Sequence, residues 1–421
     1  MKDIFKRYFQ KDWFVLLLVY IAAVIFRSAI VYIFSWNRGP HFENYMIASN
    51  IILGKGYWFG WSGDIPKQPT ALLPPIYTYF LVVFMKLFEN PLRIIYISQS
   101  FLNALGIIPA FYFGKHLIKN RTAGIIAACL FAFFPEIAIE PSKLISEPLF
   151  IPCVVLVFYL YLKWKAQFGQ NRKYLNFFWL GLILGTATLI KTTGSLIILA
   201  LFLGLAIEKK HRFKYIKAAV IMGFGFFIAI SPWLIRNYIV FNKPLMIASN
   251  FGYNLWRGNN PFASGTEYQP NGEVSESALS EEYREYLRQN RPQQEIAMDK
   301  FYFNEAIKCI KHDPVRYIKL ILKRIFYFIA IDLTHPLTKN IYYIGGYVFA
   351  LFFGIWGYIL LYKRKLLDPA FWIMPIIFFC FYVPVVYVPR FRLIPVLILL
   401  LFSAIPLNDI WEKLKLRHQG N

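Results

Sequence analysis

Apolar residues in this chain fall into long unbroken runs, not into the alternating or three-four spacing of a water-soluble core. Ten runs are long enough, or nearly so, to cross a bilayer: about 13–35, 92–114, 122–138, 148–162, 176–190, 193–207, 215–235, 341–362, 370–388 and 393–410. Several fall short of the roughly 20 residues of a crossing helix, so their ends are approximate. The first run is too long for a signal-peptide core and has no small-residue cleavage site after it, which makes it a retained anchor helix. The pattern predicts an all-α integral membrane protein of about ten transmembrane helices.

Basic clusters punctuate the runs. They are Lys2/Lys6/Arg7/Lys11, Lys115/Lys119/Arg121, Lys163/Lys165/Arg172/Lys173, Lys209/Lys210/Arg212/Lys214/Lys217, Lys363/Arg364/Lys365 and Lys413/Lys415/Arg417. Placing all of them in the cytoplasm requires about ten crossings, with both termini cytoplasmic, in the plasma membrane. Two more apolar stretches, 75–88 and 315–331, break that parity if counted as spans. The first is short and follows Pro74; the second carries Arg316, Lys319, Lys323 and Arg324. Both are predicted as juxtamembrane helices on the outer surface, their basic residues snorkelling to the interface.

Three regions follow. Residues 1–236 form a transmembrane core with a first outer loop at 37–93, residues 237–340 a small extracytoplasmic helical region, and residues 341–421 the C-terminal transmembrane helices. Nine acidic residues (Glu267, Glu273, Glu276, Glu281, Glu282, Glu285, Glu295, Asp299, Glu305) lie in the outer region with Arg284, Arg288 and Arg291. They read as a solvated helical face rather than a metal or ligand site.

Composition agrees. Charged residues make up 16% of the chain, against about 25% in soluble domains. The net charge of +23 would suggest nucleic acid in a soluble protein. Here the basic residues sit between apolar runs, so topology explains them and no nucleic-acid partner is expected. Cys129, Cys153, Cys309 and Cys380 are far apart, without a CxxC pair, and indicate neither zinc nor a disulfide framework.

Candidate chemistry lies in polar residues that the outer loops and outer helix ends bring to one membrane face. The carboxylates are Glu43, Asp64 and Glu147. Glu43 also suits a helix N-terminus, Asp64 a turn, and Glu147, before Pro148, a helix start. The cations are Lys191 after the 176–190 run, Arg236 and Arg257 flanking a Gly/Asn-rich turn, and Arg390 with Arg392, a pair suited to bidentate phosphate binding. Arg27, inside the first run, must snorkel or pair, and an active-site partner is one reading. Tyr45 adds a candidate substrate contact beside Glu43. His41 and His335 with Glu43 give only a weak metal signal, and no cofactor motif such as GxGxxG or a P-loop is present.

Pro232-Trp233-Leu234-Ile235-Arg236-Asn237-Tyr238, followed by 247–261 with Asn250-Phe251-Gly252-Tyr253-Asn254-Leu255-Trp256-Arg257-Gly258, resembles the polytopic GT-C glycosyltransferases. The similarity is to the family 39-like branch of dolichyl-phosphate-mannose protein mannosyltransferases and lipid A aminoarabinose transferases. Glu43-Asn44-Tyr45, Ser146-Glu147-Pro148-Leu149 and Pro389-Arg390-Phe391-Arg392 support it, so the motifs span residues 43 to 395. The resemblance implies a GT-C fold and an enzyme that moves a sugar, with inversion, from a polyprenyl-phosphate donor to a glycolipid, polysaccharide or protein acceptor at the extracytoplasmic face. Family members commonly carry Asp, or an Asp-Glu pair, in the first outer loop. Here His41-Phe42-Glu43 occupies that place, leaving Glu43 or Asp64 as base. Two other readings stand beside this one: a non-catalytic relative that binds lipid or glycan, and a polytopic transporter, which usually shows repeated halves.

Overall fold

The computed structural model describes residues 10–36, 39, 42–60, 67–168, 173–209, 212–269, 271 and 273–419. The chain is helical almost throughout. After α1 (Asp12–Ser35) come α2 (Glu43–Ile52) and a minimal antiparallel pair, β1 (Trp58–Phe59) with β2 (Gln68–Pro69), Trp58 opposite Pro69. Helices α3 (Pro75–Leu87), α4 (Pro91–Ala104) and α5 (Ile107–Ile118) follow, then α6 (Arg121–Phe133), which bends by 53° into the short α7 (Pro135–Ala138) and the turn after it. Next are α8 (Glu147–Phe168), α9 (Tyr174–Ile190), α10 (Gly194–Ala206) and α11 (Arg212–Phe241).

The segment after α11 folds as α12 (Phe251–Asn259), α13 (Glu281–Asn290), α14 (Glu295–His312) and α15 (Pro314–Ile329). The chain finishes with α16 (Ile341–Lys363), α17 (Pro369–Val385), α18 (Leu393–Phe402) and α19 (Ala404–Gln419). One apolar core runs from Leu16 to Ile405, and a second, smaller one joins α12, α13 and α14 to Val385, Val386 and Val388.

Every apolar run of the sequence lies on helix. Among the described residues six helical units are long and apolar enough to cross a membrane, or seven with the bent α6–α7 pair. Helices α3, α9, α10 and α17 are apolar but have at most 17 residues. The 13 residues of α10 rise only about 20 Å, short of the roughly 30 Å hydrocarbon layer. The protein is thus a multi-pass membrane protein whose number of crossings depends on these short helices.

Helix direction sorts the charges. Helix α8 starts, and α9 and α17 end, at the end of the bundle where the 237–340 segment sits. The opposite ends are stapled by ion pairs: Asp12 to Lys115 and Arg121, both 2.7 Å; Lys165 to Asp368 at 2.7 Å and Glu208 at 3.1 Å; and Arg364 to Asp409. Several of the basic clusters therefore tie neighbouring helix ends together.

Helix α15 is amphipathic, with Val315, Ile318, Leu322, Phe326 and Ile329 exposed along one stripe and Leu320, Arg324 and Phe328 buried on the other. Lys319 is exposed, but the expected snorkelling does not hold for the other three basic residues. Arg324 is fully buried and donates to the carbonyls of Val383 and Pro384 (both 3.1 Å) and of Gly258. Arg316 and Lys323 donate to carbonyls of Asn260, Ala263 and Ser264. Orphan carbonyls at helix ends and turns attract these cations more than water does.

Helices α9 and α11 pack closely through glycines. A Cβ on Gly181 would overlap the carbonyl oxygen of Met222, and one on Gly225 that of Phe178. Small residues let membrane helices pack backbone to backbone. Gly181→Val should therefore separate the pair and lower stability by about 1–3 kcal/mol, read as a lower thermal midpoint in detergent. An unchanged midpoint would show that the contact is not needed.

Candidate active site

The turns at one end of the bundle enclose a cavity of about 400 Å³. Its walls come from the start of α2, the 72–74 turn, the start of α8, the α9–α10 turn, residues 246–257 and the end of α17 with Arg390 and Phe391. Five residues singled out by sequence meet here: Glu43, Glu147, Lys191, Arg257 and Arg390. They do not play equivalent parts.

Glu147 opens α8 and is 2% exposed; its carboxylate is 2.5 Å from the Lys191 ammonium at the end of α9. This pair fixes the ends of two helices and leaves little charge to spare. Arg257, at the end of α12, is gripped by Glu276 and by Glu267 at 3.3 Å. Burial opposes its charge, but Glu276 and Glu267 outweigh that and raise its pKa further.

Glu43 and Arg390 differ from these. Glu43 is half-buried in the first turn of α2, where the helix dipole favours a carboxylate. Among the described residues it makes no hydrogen bond or ion pair. The Arg390 side chain is exposed to the cavity, likewise without a hydrogen-bonding or ion-pairing partner among those residues. Glu43 and Glu147 both lie within its electrostatic reach. Helix α2 is held in place by Asn44, which accepts from Thr78 at 2.9 Å; Thr78 also meets the Tyr57 hydroxyl at 3.1 Å.

Other candidates lie elsewhere. Tyr45 turns about 200° around α2 from Glu43 at 100° per residue and packs half-buried on the core instead of entering the cavity. Arg27 does not line the cavity: fully buried, it donates to Asn103 (2.8 Å) and to the carbonyls of Ala132 (2.6 Å) and Phe131 (3.1 Å), at the bend that ends α6. Arg392 parts from Arg390 because one tight turn, Pro389–Arg392, points them apart. It is buried over the Tyr347 ring at 3.8 Å and bonds to the carbonyls of Tyr327 and Ala330. The pair is therefore not a bidentate phosphate clamp.

Arg236 also leaves the cavity to others. It donates to the Thr70 carbonyl (2.7 Å) and covers Trp233 at 4.7 Å, while Trp233 donates to Ile247 and Asn237 to Met246, both at 2.9 Å. The Pro-Trp-Leu-Ile-Arg-Asn motif thus builds the wall, since Met246, Ile247 and Ala248 line the cavity. Asp64 and His41 lie outside the described residues. His335 is a helix cap, its Nδ1 accepting from the Leu337 amide at 3.1 Å. Among the described residues no three His, Cys, Asp or Glu side chains converge as a metal set.

The acidic stretch of the outer region is not one solvated face. Glu295 is 6% exposed and accepts from Thr70, Ser249 and the Ala71 amide (2.8 Å), joining the first loop to α14. Burial raises its pKa and these three donors pull it back, leaving it above the usual range. Asp299 caps α12 by accepting from the amides of Gly252 (3.1 Å) and Tyr253 (2.9 Å). Sequence reasoning missed Thr193, Tyr382 and Phe391 in the wall; the Tyr382 and Phe391 rings stack at 4.2 Å. Only neighbourhood to quoted motifs could have found them.

Lys191→Met should leave Glu147 buried without its ion-pair partner and cost about 3–5 kcal/mol. The double variant Glu147→Leu with Lys191→Met should recover most of that loss. A double-mutant thermal-stability cycle checks this, and additive losses would show that the two side chains do not act as a pair.

Residues 73–235 match the family model of dolichyl-phosphate-mannose-protein mannosyltransferases. No curated protein is significantly similar to the chain in sequence. Among solved structures it is similar to the Archaeoglobus fulgidus oligosaccharyltransferase complexed with zinc and sulfate, with a TM-score of 0.56 and 16% identity over 95% of this chain and 50% of that one. The same enzyme, tethered by a disulfide to an acceptor peptide containing the NVT sequon, gives a TM-score of 0.59 and 15% identity over 98% of this chain and 51% of that one. The chain thus spans about half the length of that protein. By fold and by the match over 73–235, it resembles the GT-C glycosyltransferases of the protein mannosyltransferase type.

Proposed function

We propose that this protein is an inverting membrane glycosyltransferase that takes its sugar from a polyprenyl-phosphate donor and works at the extracytoplasmic face. One observation carries the reading: a carboxylate, Glu43, and a guanidinium, Arg390, neither paired among the described residues, open on the same cavity. In the reaction an acceptor hydroxyl oxygen bonds to the anomeric carbon and the carbon–oxygen bond to phosphate breaks. The phosphate leaves with the bonding electrons, and Glu43 takes the hydroxyl proton. Arg390 faces the charge that develops on the phosphate, with Lys191 behind it, a role that side-chain cations can fill.

Glu147 is a positioning residue in this scheme, because its charge is already engaged by Lys191. The acceptor belongs to the glycolipid, polysaccharide or protein classes. The positive clusters at the far end of the bundle favour a cytoplasmic assignment for that end, which would turn the cavity outward. The donor is then a lipid-linked sugar drawn from the surrounding bilayer.

Glu43→Gln should lower transfer from a radiolabelled polyprenyl-phosphate sugar by about 10²–10⁴-fold while leaving polyprenyl-phosphate binding intact. Full turnover in that variant would remove Glu43 as base, and Asp64→Ala, assayed in parallel, tests the alternative. Arg390→Ala should weaken polyprenyl-phosphate binding at least about tenfold, roughly one charge-assisted contact. For sidedness, a cysteine at exposed position 273 should react with an impermeant maleimide in intact cells above the wild-type background. Protection until the membrane is opened would reverse the orientation.

A further inference from the structure

A second cavity, of about 300 Å³, lies between α12, α13 and α14. Leu72 and Tyr253 line both cavities, so the two are neighbours across a shared wall. None of the residues lining the second cavity falls within 73–235, so the family match is silent about it.

Three rings form one side. Trp256 and Tyr302 are 4.8 Å apart, Tyr253 and Tyr302 5.3 Å, and Tyr253 and Trp256 5.7 Å, with Leu279, Leu287 and Met298 completing the apolar surface. The polar side holds Glu276, Glu295 and Asp299 with Arg284, Arg288 and Arg291. One oxygen of Glu276 holds Arg257 and receives the Tyr253 hydroxyl at 3.5 Å. The other, Oε2, is buried without a hydrogen-bond partner among the described residues. A carboxylate oxygen left bare is costly. Because the Glu276 side chain is 23% exposed, a small turn would let a ligand in the cavity donate a hydrogen bond to that oxygen and relieve the cost.

The ligand must therefore bring an apolar face for the rings and at least one donor for Glu276. A lipid tail lacks the donor, and a bare phosphate, though the three arginines would attract it, brings no apolar face for the rings. A sugar ring, with a C–H face and hydroxyls around its edge, meets both demands.

We propose that this cavity is an acceptor subsite that binds a saccharide unit and presents a hydroxyl to the neighbouring cavity past Leu72 and Tyr253. The assignment rests on the transferase reading above and names its acceptor class: a glycan. Glu276 touches both sides, because the Arg257 it grips lines the first cavity.

The test uses the full chain in lipid nanodiscs and two kinds of probe: polyprenyl phosphate, and a panel of neutral, amino and uronic-acid trisaccharides. At least one trisaccharide should bind saturably. Leu279→Trp, which fills the cavity, should weaken that binding at least tenfold and leave polyprenyl-phosphate binding unchanged, which also reports that the variant is folded. Glu276→Gln, which removes the accepting charge at constant volume, is the second variant and should weaken saccharide binding at least fivefold. Failure of every trisaccharide to saturate, or unchanged affinity in both variants, overturns the proposal. A peptide that binds in this cavity in place of saccharides overturns it too. Saccharide binding in a protein that ignores polyprenyl phosphate would instead strike the donor reading and leave this site standing.

Discussion

The Glu147–Lys191 pair decides where this molecule can hold a polar cavity. A carboxylate with 2% of its surface exposed, at the start of an apolar helix, persists only because an ammonium 2.5 Å away balances it. The two residues come from the beginning of α8 and the end of α9, and α10 starts three residues after Lys191. Satisfying one charge thus brings three helix ends together, and the gap between them becomes the floor against which Glu43 and Arg390 stand.

Buried arginines do the corresponding work in the backbone. Arg27, Arg324 and Arg392 are almost wholly enclosed, and each spends its guanidinium on carbonyls where a helix stops or bends. Arg27 serves the end of α6, Arg324 the ends of α12 and α17, and Arg392 the end of α15. Helix C-termini expose carbonyls with no intrahelical partner, and an apolar surrounding offers no water to replace one. Part of the +23 charge is therefore spent inside the protein on helix ends.

The helices were legible because their signal is local: an apolar run must be helical in lipid whatever it packs against. The meeting of Glu43, Glu147, Lys191 and Arg390 was legible for a similar reason, since topology alone assigns helix ends to faces. Direction within a turn was not. Arg390 and Arg392 look equivalent in sequence, yet one tight turn separates their surroundings completely. Tyr45 fails as a cavity residue by its angle on α2, and Arg236 by the first-loop carbonyl it finds. Glu295 read as surface because its donors, Thr70, Ala71 and Ser249, sit in segments that no local pattern links to it.

That last contact has a consequence for biogenesis. Thr70 and Glu295 are separated by 225 positions, so the strut between them cannot form until most of the chain has left the ribosome and entered the membrane. Contacts of such long sequence separation form late because the intervening chain must be ordered first. Early helices therefore wait in the bilayer without a finished pocket. A nascent or truncated product that stops short of α14 therefore lacks the tie between the first loop and the outer helices.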